Sequence, residues 1–332
     1  MRLSTLAKTI LVATGLTGIL LVVILVSLLM GTTIIEIKTL LTESVRGADA
    51  QKTWTIILSY RLPRTLLAAI AGAGLASAGV VFQGVLKNPL ADPYLIGIAA
   101  GGSLGAVVSI SLFGGRWLLG TSLSAFLGSL VAVGLVYGLA MARQGRDYVN
   151  TVILAGVIVG SVMNAVMLLI MSLSGSHEKQ RILFWLMGDF SVADYQKVSL
   201  AGLVVAAGWA LMYLNANRLN LLTAGDDTAS YLGLHVSRTR TLFMALAALV
   251  TGAVVSVSGT IGFVGLVVPH TMRLLFGPDN RVLLPAALIG GAAFLAASDC
   301  VARVVAYPVE LPVGVITTLA GGPFFLYLLV KR

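Results

Sequence analysis

Residues 198–258 read VSLAGLVVAAGWALMYL, then NANRLNLLTAGDDTASYLGLHVSRTR, then TLFMALAALVTGAVVSVS: two apolar runs around a polar island from Asn215 to Arg240. Each run approaches the roughly 20 residues that cross about 30 Å of hydrocarbon, so the island is a connection outside a bilayer. Its own pattern is not that of a loose loop. Thr223 or Gly225 can cap a short helix whose first turn holds Asp226 and Asp227, where the helix dipole favours negative charge. Leu232 and Leu234 supply a modest apolar face and Gly233 a stop. Two short helices lying outside the membrane are therefore predicted, serving either as a connector or as a docking surface for a soluble partner.

The rest of the chain has the same character. Of 332 residues, 58% are hydrophobic and 11% charged, against about 25% charged in an average soluble protein. The fold class is all-α: a polytopic membrane protein forming a single transmembrane domain over 1–332. Alternating ten-residue strands are absent, which argues against a barrel. The 37 glycines lie among Ala and Ser inside apolar segments, as expected where helices pack through small residues. Cys300 reads as packing. The net charge of +9 belongs to membrane-flanking Lys and Arg, since no basic run with interleaved aromatics points to nucleic acid.

In order, spans are expected from about Ile10 to Met30, Thr65 to Leu86, after the hinge Lys87–Pro93 to Phe113, Leu118 to Met141, and Asn150 to Leu173. Five more follow, at Val198–Leu214, Thr241–Ser258, Ile261–Phe276, Val282–Ser298 and Val313–Val330. The first lacks a small-x-small cleavage site and reads as retained. Pro269 should tilt or break the eighth. An amphipathic helix is expected outside at Arg181 to Phe190. Ten spans put both termini on one side, taken as cytoplasmic, with a weak positive-inside bias that includes Arg143 and Arg146. Arg61, Arg64 and Arg303 stand at outward span ends against that rule. Either they snorkel or pair with Asp299 and Glu310, or they form an exposed basic patch that docks an acidic partner outside.

No G-x-x-x-x-G-K-[ST] loop occurs, so the chain is not its own ATPase of that kind. His177, His235 and His270 are scattered, and no metal, cofactor or catalytic site is expected. Every Asp and Glu lies in a loop or near a span end, which gives little support to an ion-coupled carrier or a membrane enzyme. A passive pathway energised from elsewhere remains.

The stretches SGTIGFVGLVVPHTMRLLFGPDNRVLLP (258–285) and SDCVARVVAYPVELPVGVITTLAGGP (298–323) resemble signature segments of the FecCD family, ten-span permeases of bacterial ABC importers for iron-siderophores, haem and cobalamin. Arg61-Leu62-Pro63-Arg64, Gly79 to Gln83, Asn88 to Pro93 and Leu154 to Val157 match in the right order. The resemblance implies a type II importer fold and a homodimer or pseudo-dimer in the cytoplasmic membrane. It also implies two cytoplasmic ATPases and a periplasmic or lipid-anchored substrate-binding protein. It places Gly225, Asp226, Ala229, Leu232 and Gly233 in coupling helices (about 217–236) that seat in the ATPase. Arg61, Arg64 and Arg303 become receptor-docking positions. Asn88 and Leu90 become one inner gate segment, and Val149 and Asn150 the second, where the family's small hydroxylated pair is missing. Iron-siderophore is the expected cargo, with haem and cobalamin as alternatives.

Overall fold

The computed structural model describes residues 4–31, 48–113, 118–142 and 148–330. Arg143 and Arg146 fall outside them. Helices follow one another as α1 (Thr5–Leu29), α2 (Ala48–Thr55), α3 (Leu62–Val85), α4 (Ile98–Phe113), α5 (Leu118–Ala142), α6 (Tyr148–Leu173) and α7 (Ser176–Leu186). The second half gives α8 (Tyr195–Leu214), α9 (Ala216–Ala224), α10 (Asp226–Tyr231), α11 (Val236–Ser258), α12 (Val264–Phe276), α13 (Asn280–Val304) and α14 (Val313–Val330). Among the described residues, seven helices are long and apolar enough to cross a membrane, and three shorter apolar ones, α4, α12 and α14, complete ten.

Caps set several starts. Ser4 accepts from the Ala7 amide, Asp194 from Lys197 at 2.8 Å and Asp279 from Arg281 at 3.0 Å, each satisfying an amide with no partner inside its helix. The bundle is organised around α3, buried nearly throughout and packed against α13, α11, α12 and α8. Its sequence, LLAAIAGAGLASAGVV, allows this because small residues let backbones approach. At Gly72 a β-carbon would lie 2.1 Å from the Gly291 carbonyl oxygen on α13, and at Gly291 one would lie 2.3 Å from that of Gly72. Polarity is turned inside out at the rim: Leu6, Ile10, Leu21 and Leu25 of α1 are all more than half exposed, a surface suited to lipid.

Three local features differ from expectation. The helix entering α3 starts at Ala48 and passes through a π-helical turn, Ile56–Arg61. Pro63 accounts for the turn, because it lacks an amide donor and its ring collides with the carbonyl four residues back, which a wider turn relieves. The amphipathic helix expected at Arg181–Phe190 is instead Ser176–Leu186. It stops early because Gly188 takes φ +78°, and Trp185 already accepts from the Gly188 amide. Finally, Pro269 leaves α12 continuous. Its shortness comes instead from 259–263, which runs without helix and tucks back among its neighbours: the Ile261 amide donates to Tyr94 Oη at 2.7 Å, and Thr260 Oγ1 donates to the Leu186 carbonyl.

Candidate functional site

The polar island folds as α9 and α10, hinged at Gly225 (φ +127°). α9 is bolted to the bundle: Leu219 and Leu222 are buried, Asn220 Nδ2 donates to Asp279 at 2.9 Å, and the Asn280 amide and Nδ2 donate to Asn220 Oδ1. Hydrogen bonds from Arg281 hold the Asp279 carboxyl at about 2. α10 ends in a Schellman arrangement, with Gly233 N–H donating to Ser230 and Leu234 N–H to Ala229. Gly233 sits at φ +80° with open space around it, so its requirement is backbone conformation, not room. A valine there should cost on the order of 1 to 2 kcal/mol of local stability. Amide exchange in 229–235 should speed up accordingly while the bundle stays folded; unchanged protection would show that the turn does not need glycine.

Of the five residues expected to meet an ATPase, Ala229 faces inward, and Asp226, its side chain 46% exposed, is engaged by its own chain. Ala229 is fully buried, because it is on the side of α10 that packs on the bundle, and this is a correction to its expected role as a contact. Asp226 turns toward its own chain, with Lys87 Nζ at 2.9 Å and Arg240 Nη2 at 2.7 Å. Burial opposes ionisation at Asp226, yet those hydrogen bonds outweigh it and hold the carboxyl below the ordinary range. What projects instead is Tyr231, 91% exposed, followed by Leu232 at 63%. Tyr231 was not anticipated; its signal was an aromatic in the last turn of a helix otherwise polar on that side.

The two expected gate segments lie beside this ion-pair cluster. Asn88 Oδ1 accepts from the Leu90 amide at 2.9 Å, an Asx turn that presents a partly exposed Leu90. Val149 is half-buried and Asn150 exposed at the start of α6. Tyr148, next in line, lies under the Arg240 guanidinium, 5.0 Å from ring centroid to Cζ.

At the opposite end the three arginines are largely internal. Arg61 is 6% and Arg303 3% exposed. Arg61 Nη1 donates to the Leu28 and Leu29 carbonyls, and Arg303 donates to Ser27 Oγ and the Met30 carbonyl. Together they satisfy the free carbonyl end of α1, where cations are favoured. Arg64 pairs with Asp299 at 3.0 Å and with Glu310 at 2.5 Å, and Arg303 reaches Asp299 at 3.2 Å. Arg64 and Arg303 thus adopt the pairing alternative, whereas Arg61 is held by backbone carbonyls, and an exposed patch made of all three is not formed in this conformation. Arg64 and Glu310 are the members that reach the surface.

Beside α6 lies an open pocket of about 540 Å³, lined by Tyr94, Gly97, Ser103, Gly156, Gly160, Ser161, Asn164 and Thr260 among others, with no charged residue among the described residues that line it. Sequence reasoning missed this face. Its signal was the spacing Gly156, Gly160, Asn164, which puts one side chain per turn on a single stripe of α6.

A bundle with ten apolar helices among the described residues, an uncharged open pocket in its wall, and a helix pair at one end, defines a membrane permease. Residues 19–331 match the FecCD transport family, and the chain belongs to that family, as an ABC importer permease. It is 44% identical over 277 residues to the cobalamin import permease BtuC of Halobacterium salinarum, covering 83% of this chain and 74% of that one. It is 37% identical over 307 residues to the hemin transport permease HmuU of Yersinia pestis, covering 91% and 90%. A solved inward-facing transporter assigned to the metal-chelate type of ABC transporters superposes with a TM-score of 0.85 at 31% identity, over 96% of this chain and 99% of the other.

Proposed function

We propose that the chain carries an iron-siderophore-type metal chelate across the cytoplasmic membrane, as one half of a homodimer driven by two copies of a cytoplasmic ATPase. The observation that carries this reading is the open pocket, roomy and lined only by neutral groups among the described residues, in a chain whose solved neighbour is of the metal-chelate type. A bulky chelate with its charges internally satisfied passes such a wall without paying for a buried counter-charge. Selection then rests with a periplasmic or lipid-anchored binding protein.

In this reading α9 and α10 lie in the cytoplasm with both termini and form the coupling element, within a single domain over 1–332. Tyr231, Leu232 and Gly233 form the surface offered to the ATPase, and Asn88, Leu90, Val149 and Asn150 form the inner gate. α7 lies outside. Receptor docking centres on Arg64 with Glu310, and Arg61 and Arg303 hold the frame beneath. The relative named for cobalamin, at 44% identity, favours cobalamin as the second reading.

The test is uptake by proteoliposomes holding permease, ATPase and receptor, offered a ferric siderophore, hemin or cobalamin. ATP-dependent accumulation of the ferric siderophore is expected. Accumulation of cobalamin or hemin alone would reassign the cargo.

A further inference from the structure

The Asp226 carboxylate touches two cations that belong to two different parts of the inner mouth. Lys87 immediately precedes Asn88 and Leu90, and it sits at φ +49°, a conformation that costs a residue with a β-carbon about 1 to 2 kcal/mol. Arg240 is at the base of α11, nine-tenths buried, and stacks on Tyr148, whose chain neighbours are Val149 and Asn150. One side chain in the first turn of α10 therefore reaches both gate segments, one through each oxygen: Oδ1 to Lys87 and Oδ2 to Arg240. Two buried polar atoms on the second branch, Arg240 Nε and Tyr148 Oη, have no hydrogen-bond partner among the described residues. Such atoms are rare in native proteins and carry a free-energy cost, so this contact has something to gain by rearranging.

We propose that Asp226 is a positioning residue that links the docking helix to both gate segments, so that a displacement of α10 is transmitted to Leu90 through Lys87 and to Asn150 through Arg240 and Tyr148. The proposal rests on the reading of α10 as the ATPase-docking helix. Asp226 then transmits force without touching the ATPase, while Tyr231 and Leu232 make the contact.

The experiment uses the full permease in complex with its ATPase, with Cys300→Ala removing the native thiol. Leu90→Cys or Asn150→Cys is added as a reporter, and maleimide labelling is timed with and without a non-hydrolysable ATP analogue. Labelling of both reporters should respond to nucleotide. Asp226→Asn should shrink that response at both sites roughly fivefold or more, the scale of ordinary allosteric coupling, whereas Asp226→Glu, which keeps the charge, should retain it. Lys87→Gln should blunt the response at Leu90→Cys and spare Asn150→Cys, a split that a general loss of stability would not produce. The proposal is overturned by an unchanged response in Asp226→Asn, by loss of the ATPase from Asp226→Asn, or by reporters that ignore nucleotide in the parent. If Tyr231→Asp with Leu232→Asp leaves the ATPase attached and the response intact, the docking reading itself has failed.

Discussion

Replacing Asp299 with alanine should leave little folded permease in the membrane. Asp299 is 1% exposed and is the carboxylate shared by Arg64 and Arg303. Removing one partner of a buried ion pair leaves an uncompensated charge, at a cost of about 3 to 5 kcal/mol, a large share of the roughly 5 to 15 kcal/mol that holds a typical domain folded. Arg303 would keep Ser27 and the Met30 carbonyl, and Arg64 would keep Glu310, but neither substitutes for the shared anion. Membrane abundance and thermal stability in detergent should both fall, and Asp299→Glu should restore part of each. Normal abundance with only weakened receptor binding would mean that these arginines serve docking first and the fold second.

The second large effect is expected at the other end. Tyr231 and Leu232 expose apolar surface next to Asp227, Thr228 and Ser230, all solvent-facing. Large apolar and aromatic side chains projecting from a polar surround are what anchors an interface, and truncating such an anchor commonly costs about 2 kcal/mol or more. Tyr231→Asp with Leu232→Asp should therefore reduce co-purified ATPase at least tenfold while the permease remains in the membrane at normal level, because neither side chain packs on the bundle. Retention of the ATPase at full stoichiometry would remove α10 from the contact.

How much of this could be read in advance follows from the range of each interaction. The spans were legible because apolar length is a local property; so were the Gly233 turn and the separation of α9 from α10, where capping and turn chemistry act over four or five residues. The fate of the arginines was not. An arginine at a span end looks the same in sequence whether it faces a partner or closes on Asp299, which lies 235 residues from Arg64. Asp226 was legible as a first-turn acid, yet its partners Lys87 and Arg240 come from two other segments, and only the folded bundle brings them to it. The π turn before Pro63 and the stripe through Gly156, Gly160 and Asn164 are intermediate cases. Both leave marks, a proline inside a helical run and a spacing of four, that gain meaning once the facing element is known.

As proposed, this chain is a passive pathway whose energy arrives through α9 and α10. The most direct measurement is uptake by proteoliposomes that hold the purified permease alone, under an imposed proton or sodium gradient, against the same vesicles supplied with the ATPase, the receptor and internal ATP. No accumulation is expected from either gradient, and accumulation is expected only when the ATPase and ATP are present. Gradient-driven uptake by the permease alone would contradict the account.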